Sequence, residues 1–148
     1  MKHARLLIPA LLFTAATVYV SCSKSNKGGK PTIKLKSINT DIKLGQDLDA
    51  RFEVSDAGPT LDSFVFIRIR LNEIPLPVGS EGIDTFVESI PSYPSRDKVE
   101  LQYVFQYVSL HQAPQGQVDT FVFKAAVIDH AGRSSDTITT PKVTVQSQ

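Results

Sequence analysis

The chain has no tryptophan and a single cysteine, Cys22, so it can build neither an internal disulfide framework nor a zinc site made from several cysteines. Charge of one sign is also missing, because 16 basic residues stand against 15 acidic ones for a formal net charge of +1. A domain that grips nucleic acid by electrostatics needs a basic excess gathered on one face, and that class is excluded. No apolar run is long enough to span a bilayer. The longest, Leu6 to Val20, falls short of the roughly 20 residues a spanning helix requires and is interrupted by Pro9, Thr14 and Thr17. A length of 148 residues leaves room for one domain of ordinary size.

A short basic start, Met1-Lys2-His3-Ala4-Arg5, precedes that apolar run, and Ser21-Cys22-Ser23 follows it. This is the layout of an export signal. The segment resembles the signal peptide of a bacterial lipoprotein, with Ser21 in the small-residue slot and Cys22 where the lipid is carried; it departs from the common pattern at Tyr19 and Val20. The resemblance implies that residues 1–21 are removed and that the Cys22 thiol carries the lipid. Cys22 is then an anchor and not a catalyst. Each buried CH₂ contributes about 0.8 kcal/mol, so two or more acyl chains hold a protein on a membrane durably. Removal of residues 1–21 takes away Lys2 and Arg5 but no acidic residue, which tips the balance slightly acidic. Ser23 to Lys30 contains no apolar residue and two adjacent glycines, so residues 22–30 are expected to be a flexible tether.

From Pro31 onward valine, isoleucine and threonine far outnumber alanine. Such β-branched residues suit a pleated, half-buried surface, and no sustained helical period competes with them. Alternation places Ile33 and Leu35 on one face of a first strand. Leu48, Ala50, Phe52 and Val54 share a face of the second. In the segment from Ser63 to Leu71 the odd residues Val65, Ile67, Ile69 and Leu71 form one face, and Phe64, Phe66, Arg68 and Arg70 form the other. Ile83 to Ile90 is expected to be an edge strand or a crossing segment within a stretch, 72–96, rich in proline and glycine. Val99, Leu101, Tyr103, Phe105 and Tyr107 pattern a long strand from Lys98 to Tyr107, followed by a loop over His111 to Gly116. Phe121, Phe123, Ala125 and Val127 point inward from a strand whose other face holds Val122, Lys124, Ala126 and Ile128. The last segment, Asp136 to Val145, carries Pro141, which confines it to an edge or a bulge. About seven strands at this spacing match an all-β antiparallel sandwich of immunoglobulin-like type over residues 31–148, without the cysteine pair and tryptophan of an antibody core.

The closing stretch from Val127 to Asp136, with Asp129-His130-Ala131-Gly132-Arg133-Ser134-Ser135 at its centre, resembles the final turn of immunoglobulin-like domains in bacterial envelope proteins. Together with the N-terminal signal it is similar to a group of Bacteroidota lipoproteins with one such domain. In the turn, Asp129 and Ser134 are expected to accept backbone N–H groups and Gly132 to take a positive φ. Arg133 stands where that group usually has Asn. The resemblance implies a lipid-anchored, non-catalytic module of the bacterial outer membrane that meets the bilayer through its lipid and holds a protein or glycan partner. An alternative is a periplasm-facing structural or assembly subunit of an outer-membrane complex, and a minor one is a carbohydrate-binding accessory domain. The periplasmic side of the membrane is favoured because no acidic residue follows Cys22 in Ser23-Lys24-Ser25-Asn26-Lys27, as the surface-exported members of the group tend to have.

Chemistry is sparse. His111 and His130 sit in separate loops with no cysteine or second histidine nearby, so neither a metal nor a cofactor is expected. No nucleophile elbow or phosphate-binding glycine loop is present. Asp84, Glu88, Asp97 and Glu100 read as surface charges rather than a catalytic pair. Tyr93, Tyr103 and Tyr107 are the aromatics a sugar site would borrow, although Tyr103 and Tyr107 fall on a core face. The feature that asks for an explanation is a second apolar face, Phe64, Phe66, Val122 and Ile128. Either the stretch 72–96 covers it, or it is an exposed interaction face of Phe64, Phe66 and Val122 rimmed by Arg68 and Arg70.

Overall fold

The computed structural model describes residues 29–55, 61–72, 82–92, 98–110 and 116–146. The export signal, Cys22, most of the tether, residues 73–81 and 93–97, and His111 lie outside the described residues.

Nine strands and one helical turn follow one another: β1 (Thr32–Ile38), β2 (Asp41–Ile42), β3 (Leu48–Ser55), β4 (Leu61–Arg70), β5 (Ile83–Ser89), β6 (Lys98–Phe105), α1 (Tyr107–Leu110), β7 (Val118–Asp129), β8 (Ile138–Thr139) and β9 (Val143–Gln146). They form two sheets. One has the order β1-β3-β6, and the other runs β2-β9-β7-β4-β5 with β8 also on β7. Every pairing is antiparallel except the two-residue contact of β2 with β9. The chain is an immunoglobulin-like β-sandwich.

The seven expected segments are all present, with local differences. The first strand changes sheets after Ile38. Asn39 pins the crossing, since its side chain donates to Asp47 O at 2.9 Å and accepts from Asp49 N at 2.7 Å. The short β2 that follows has too few residues to show a period. The last segment splits into β8 and β9 around Pro141, which has no N–H to give a ladder. The strand expected to reach Tyr107 stops at Phe105, and the chain turns through α1, where Ser109 N and Leu110 N both donate to Gln106 O at 3.0 Å. This turn drives Leu110 into the core, fully buried.

Alternation on β3 and β7 puts Leu48, Ala50, Phe52 and Val54 against Phe121, Phe123, Ala125 and Val127 across the sandwich, all buried. Aromatic rings fill the middle. Phe66 lies 4.5 Å from Tyr103 and 4.9 Å from Phe123 between ring centroids, and Phe52 lies 5.2 Å from Phe64. These separations fall in the favourable range for aromatic pairs.

The structure corrects one expectation of consequence. Phe64 and Phe66 do not form a second, outward face; they are the core face of β4, exposed by only 4% and 0%, and Arg68 and Arg70 go inward with them. Register gives the reason. Phe64, Phe66, Arg68 and Arg70 stand directly opposite Val127, Ala125, Phe123 and Phe121 of β7, and directly opposed residues share a face. The inward set of β7 therefore dictates which side of β4 is buried. Of the residues expected to form an interaction face, only Val122 stays on the outer face, opposite Ile69.

Candidate interaction surfaces

The two sheets present opposite kinds of outer face. On β1, β3 and β6 the outward residues make a charged ladder. Lys36 pairs with Glu100 at 2.8 Å, Lys98 with Glu53 at 3.0 Å, and Arg51 reaches Glu100 at 3.7 Å. The Lys36 ammonium holds the Glu100 carboxyl below its ordinary pKa, and Lys98 does the same for Glu53. This is a solvated face.

The outer face of β5, β4 and β7 is aliphatic. Its cross-strand rows read Ile83, Ile69 and Val122; then Thr85, Ile67 and Lys124; then Val87, Val65 and Ala126. Ile83 and Val87 on the edge strand are 56% and 63% exposed. The described part of the stretch 72–96 does not lie over this face, because β5 continues the sheet beside β4 as its edge. Val65, Ile67, Ile69 and Val122 beside Ile83 and Val87 are half-buried, so the apolar residues adjoin one another across the strands rather than lie scattered.

The two inward arginines are held by structural contacts. Arg68 donates from Nε and Nη2 to Oδ2 of Asp84 at 2.9 and 2.6 Å and from Nη1 to Ser109 O at 2.6 Å. Its guanidinium also lies 5.4 to 6.0 Å from the ring centroids of Phe105, Phe121 and Phe86. One side chain thus ties β4 to β5 and to α1. Arg70 meets Asp119 at 2.7 Å with both side chains buried. Sequence reasoning missed these roles because it took the arginines as a solvent rim; Asp84 and Asp119, each on a strand beside β4, were the available sign that the charges had partners inside.

A cleft of about 360 Å³ opens where the two sheets part, between the end of β5 and β6. Phe64, Ile90, Pro91, Leu101 and Tyr103 supply its apolar walls, and Glu88, Ser89 and Gln102 bring polar groups to it. Its volume lies at the lower end of the range for small-ligand sites. Burial and, behind it, the negative charge of Glu88 raise the pKa of the Tyr103 hydroxyl.

The final turn is organised around Asp129. Asp129 Oδ1 accepts the N–H groups of Ala131 and Arg133 at 2.9 and 2.8 Å, its Oδ2 accepts Arg133 Nε at 2.7 Å, and Gly132 has φ of 75°. Burial of Asp129 would by itself raise its pKa, but these donors and the Arg133 charge outweigh it and lower the value. Ser134 does not take the role expected of it. Its hydroxyl donates to Ser135 O, and Ser135 Oγ accepts Val127 N at 3.0 Å. Arg133 locks the turn to its own Asp129. His130 Nδ1 lies 3.2 Å from Asp62 Oδ1 on the surface. Among the described residues no group of three His, Cys, Asp or Glu side chains is placed to hold a metal ion.

No family model and no curated protein matches the chain. Solved structures do. The PKD domain of an M14-like peptidase from Thermoplasmatales archaeon SCGC AB-540-F20 is 18% identical, with 80% of this chain and 98% of that one covered at a TM-score of 0.44. A β-glucosidase from Listeria innocua is 10% identical over 80% of this chain at a TM-score of 0.43, and the match spans only 16% of the enzyme. Spo0M, a sporulation control protein from Bacillus subtilis, is 9% identical, with 81% of this chain and 51% of that one covered at a TM-score of 0.39.

Proposed function

We propose that the chain is a non-catalytic interaction module of the bacterial cell envelope, anchored by a lipid on Cys22 and holding a protein partner on the side of its larger sheet. The observation that carries this is the asymmetry of the sandwich. One outer face is a ladder of ion pairs suited to water, while the other is an aliphatic surface ending at β5, which has no second strand partner among the described residues. Water alone would favour the same treatment of both. The buried charges support the reading, since Arg68 and Arg70 hold the structure together through Asp84 and Asp119.

The anchor is supported by the basic start, the apolar run ending at Val20 and the placement of Cys22 directly after Ser21. It is tested by growing cells that express the chain with radiolabelled palmitate. Label is expected in the parent and absent from Cys22→Ser; label that survives the substitution, or is missing from both, overturns the anchor. A second reading, a periplasm-facing assembly subunit, is favoured by the wholly non-acidic stretch after Cys22. Protease digestion of intact and lysed cells separates the two. Protection until lysis supports the periplasmic subunit, and digestion on intact cells supports capture of a partner outside.

A further inference from the structure

The edge at β5 combines a free strand ladder, an open cleft and a lone carboxylate. Among the described residues β5 pairs with β4 on one side and with no strand on the other, so its outward N–H and C=O groups are a template for another strand. Natural edges are commonly blunted by lysine, proline or a bulge, and β5, Ile83-Asp84-Thr85-Phe86-Val87-Glu88-Ser89, has neither residue and pairs with β4 without a register shift. Its only charges are two inward carboxylates. Asp84 is held by Arg68 at 2.6 Å, while Glu88 has no ion-pair partner among the described residues. Glu88 lies on the cleft, which Phe64, Ile90, Leu101 and Tyr103 line together with the polar Ser89 and Gln102.

These features choose among occupants. A second copy pairing over the full length of β5 would be centred on Phe86 and would set Asp84 of each copy against Glu88 of the other, carboxylate facing carboxylate twice. A strand that instead carries a cation at the position opposite Glu88 meets a complementary charge. Because side chains alternate, that same residue points between the sheets, where the aliphatic stem of a lysine or arginine has Leu101 and Tyr103 to lie against. The neighbouring residues of the incoming strand then fall on the outer face and extend the rows of Ile83 and Val87.

We infer that β5 is a docking edge for an extended segment of a partner protein, added as an antiparallel strand, with alternating β-branched residues on the outer side and one lysine or arginine seated in the cleft against Glu88. This is recognition by strand addition, in which backbone pairing supplies affinity and the pocket supplies selectivity. It rests on the reading of the chain as an interaction module and names the chemistry of the partner.

The test titrates the full chain in detergent with a nine-residue peptide of alternating threonine and valine carrying one central lysine in a threonine position, and with a twin that has glutamate there. The lysine peptide is expected to bind about fivefold more tightly than its twin, to lose that advantage on Glu88→Gln and to cede it to the twin on Glu88→Lys. Amide shifts are expected to concentrate on Ile83–Ser89. Glu88 is exposed, and the peptide swap leaves the protein untouched, so a folding defect cannot imitate this pattern. Equal binding of the twins, no saturable binding, shifts centred on another edge, or self-association through β5 in the absence of peptide each overturn the inference. The titration reads the same whether or not Cys22 carries a lipid, and palmitate labelling reads the same whether or not the peptide binds, so failure of one proposal is distinguishable from failure of the other.

Discussion

Asp119→Asn is expected to be among the most damaging single polar substitutions in this chain. The Asp119 side chain is 0% exposed and that of Arg70 is 3% exposed, with Arg70 Nε 2.7 Å from Asp119 Oδ1. Asparagine keeps the shape and one acceptor but removes the charge that permits a guanidinium to sit out of water. Breaking such a pair from one side costs about 3–5 kcal/mol, because the remaining ion stays desolvated with its close counter-charge gone. Against a total stability of about 5–15 kcal/mol this is a large fraction. With a urea dependence of about 2 kcal/mol per molar, the unfolding midpoint moves down by roughly 2 M.

The same physics makes a second, opposite expectation. Replacing both partners with apolar residues, Arg70→Met with Asp119→Leu, removes both desolvation costs at once and is expected to leave stability unchanged or raise it by about 1–4 kcal/mol. Urea titrations of the three proteins, followed by far-UV circular dichroism and repeated at about 0.5 M salt, check both. Screening at that salt reaches exposed pairs such as Lys36 with Glu100 but not this one. An Asp119→Asn protein within about 1 kcal/mol of the parent would refute the reasoning, since it would mean that water reaches Arg70 and that the pair is not a structural element.

Arg68→Ala is expected to destabilise by about 2–4 kcal/mol in the same assay, because it severs the tie between β4, β5 and α1, whereas Arg68→Met, which keeps the packed stem among Phe86, Phe105 and Phe121, loses less than half as much. The aliphatic face predicts enhanced fluorescence of a hydrophobic dye on the native protein; Ile83→Lys with Val87→Lys should abolish it while changing stability by no more than about 0.5 kcal/mol per site, and undiminished dye binding would mean that another surface is responsible. Asp129 has a folded pKa below its unfolded one, so it adds stability above about pH 4 that is lost as pH falls through the folded value; Asp129→Asn should be less stable at neutral pH and lose less on acidification, read from midpoints across that range. Tyr103 has the reverse sign, with a raised folded pKa, so its contribution is intact below about pH 10 and is lost as pH climbs through the folded value; Tyr103→Phe should flatten the alkaline limb of the same profile.

The parts of the fold legible in the sequence are those where burial is decided within one strand. Leu48, Ala50, Phe52 and Val54 alternate with Asp49, Arg51 and Glu53, so β3 announces its buried side unaided, and Phe121 to Val127 does nearly as well. β4 was ambiguous because both of its faces begin apolar. Arginines on one of them suggest a solvent-facing side, which is the reverse of the strand's actual orientation. What settles its orientation is nonlocal: the register against Ala125, Phe123 and Phe121, and carboxylates at Asp84 and Asp119 that only the assembled sheet brings within reach. The cleft was illegible for a related reason. It exists because β5 and β6 are the edges of different sheets at the same side of the sandwich, a relation that no local pattern encodes.

Turning β4 over changes which partners the molecule suits. An exposed pair of phenylalanines rimmed by arginines would have favoured stacking and anion recognition, and those groups are instead spent on the core, where Phe66 packs on Tyr103 and Phe123. The tyrosines described are also committed. The Tyr103 ring lies against Phe64 and Phe66, and the Tyr107 hydroxyl donates to Gln146 O at 2.6 Å. The cross-strand rows on the outer face of β5, β4 and β7 are aliphatic apart from Thr85 and Lys124, and they end in a strand that pairs with no further strand among the described residues. Another β-strand needs a free ladder, a matching row of β-branched side chains and one selective contact, and Ile83, Val87 and Glu88 supply these within a single edge.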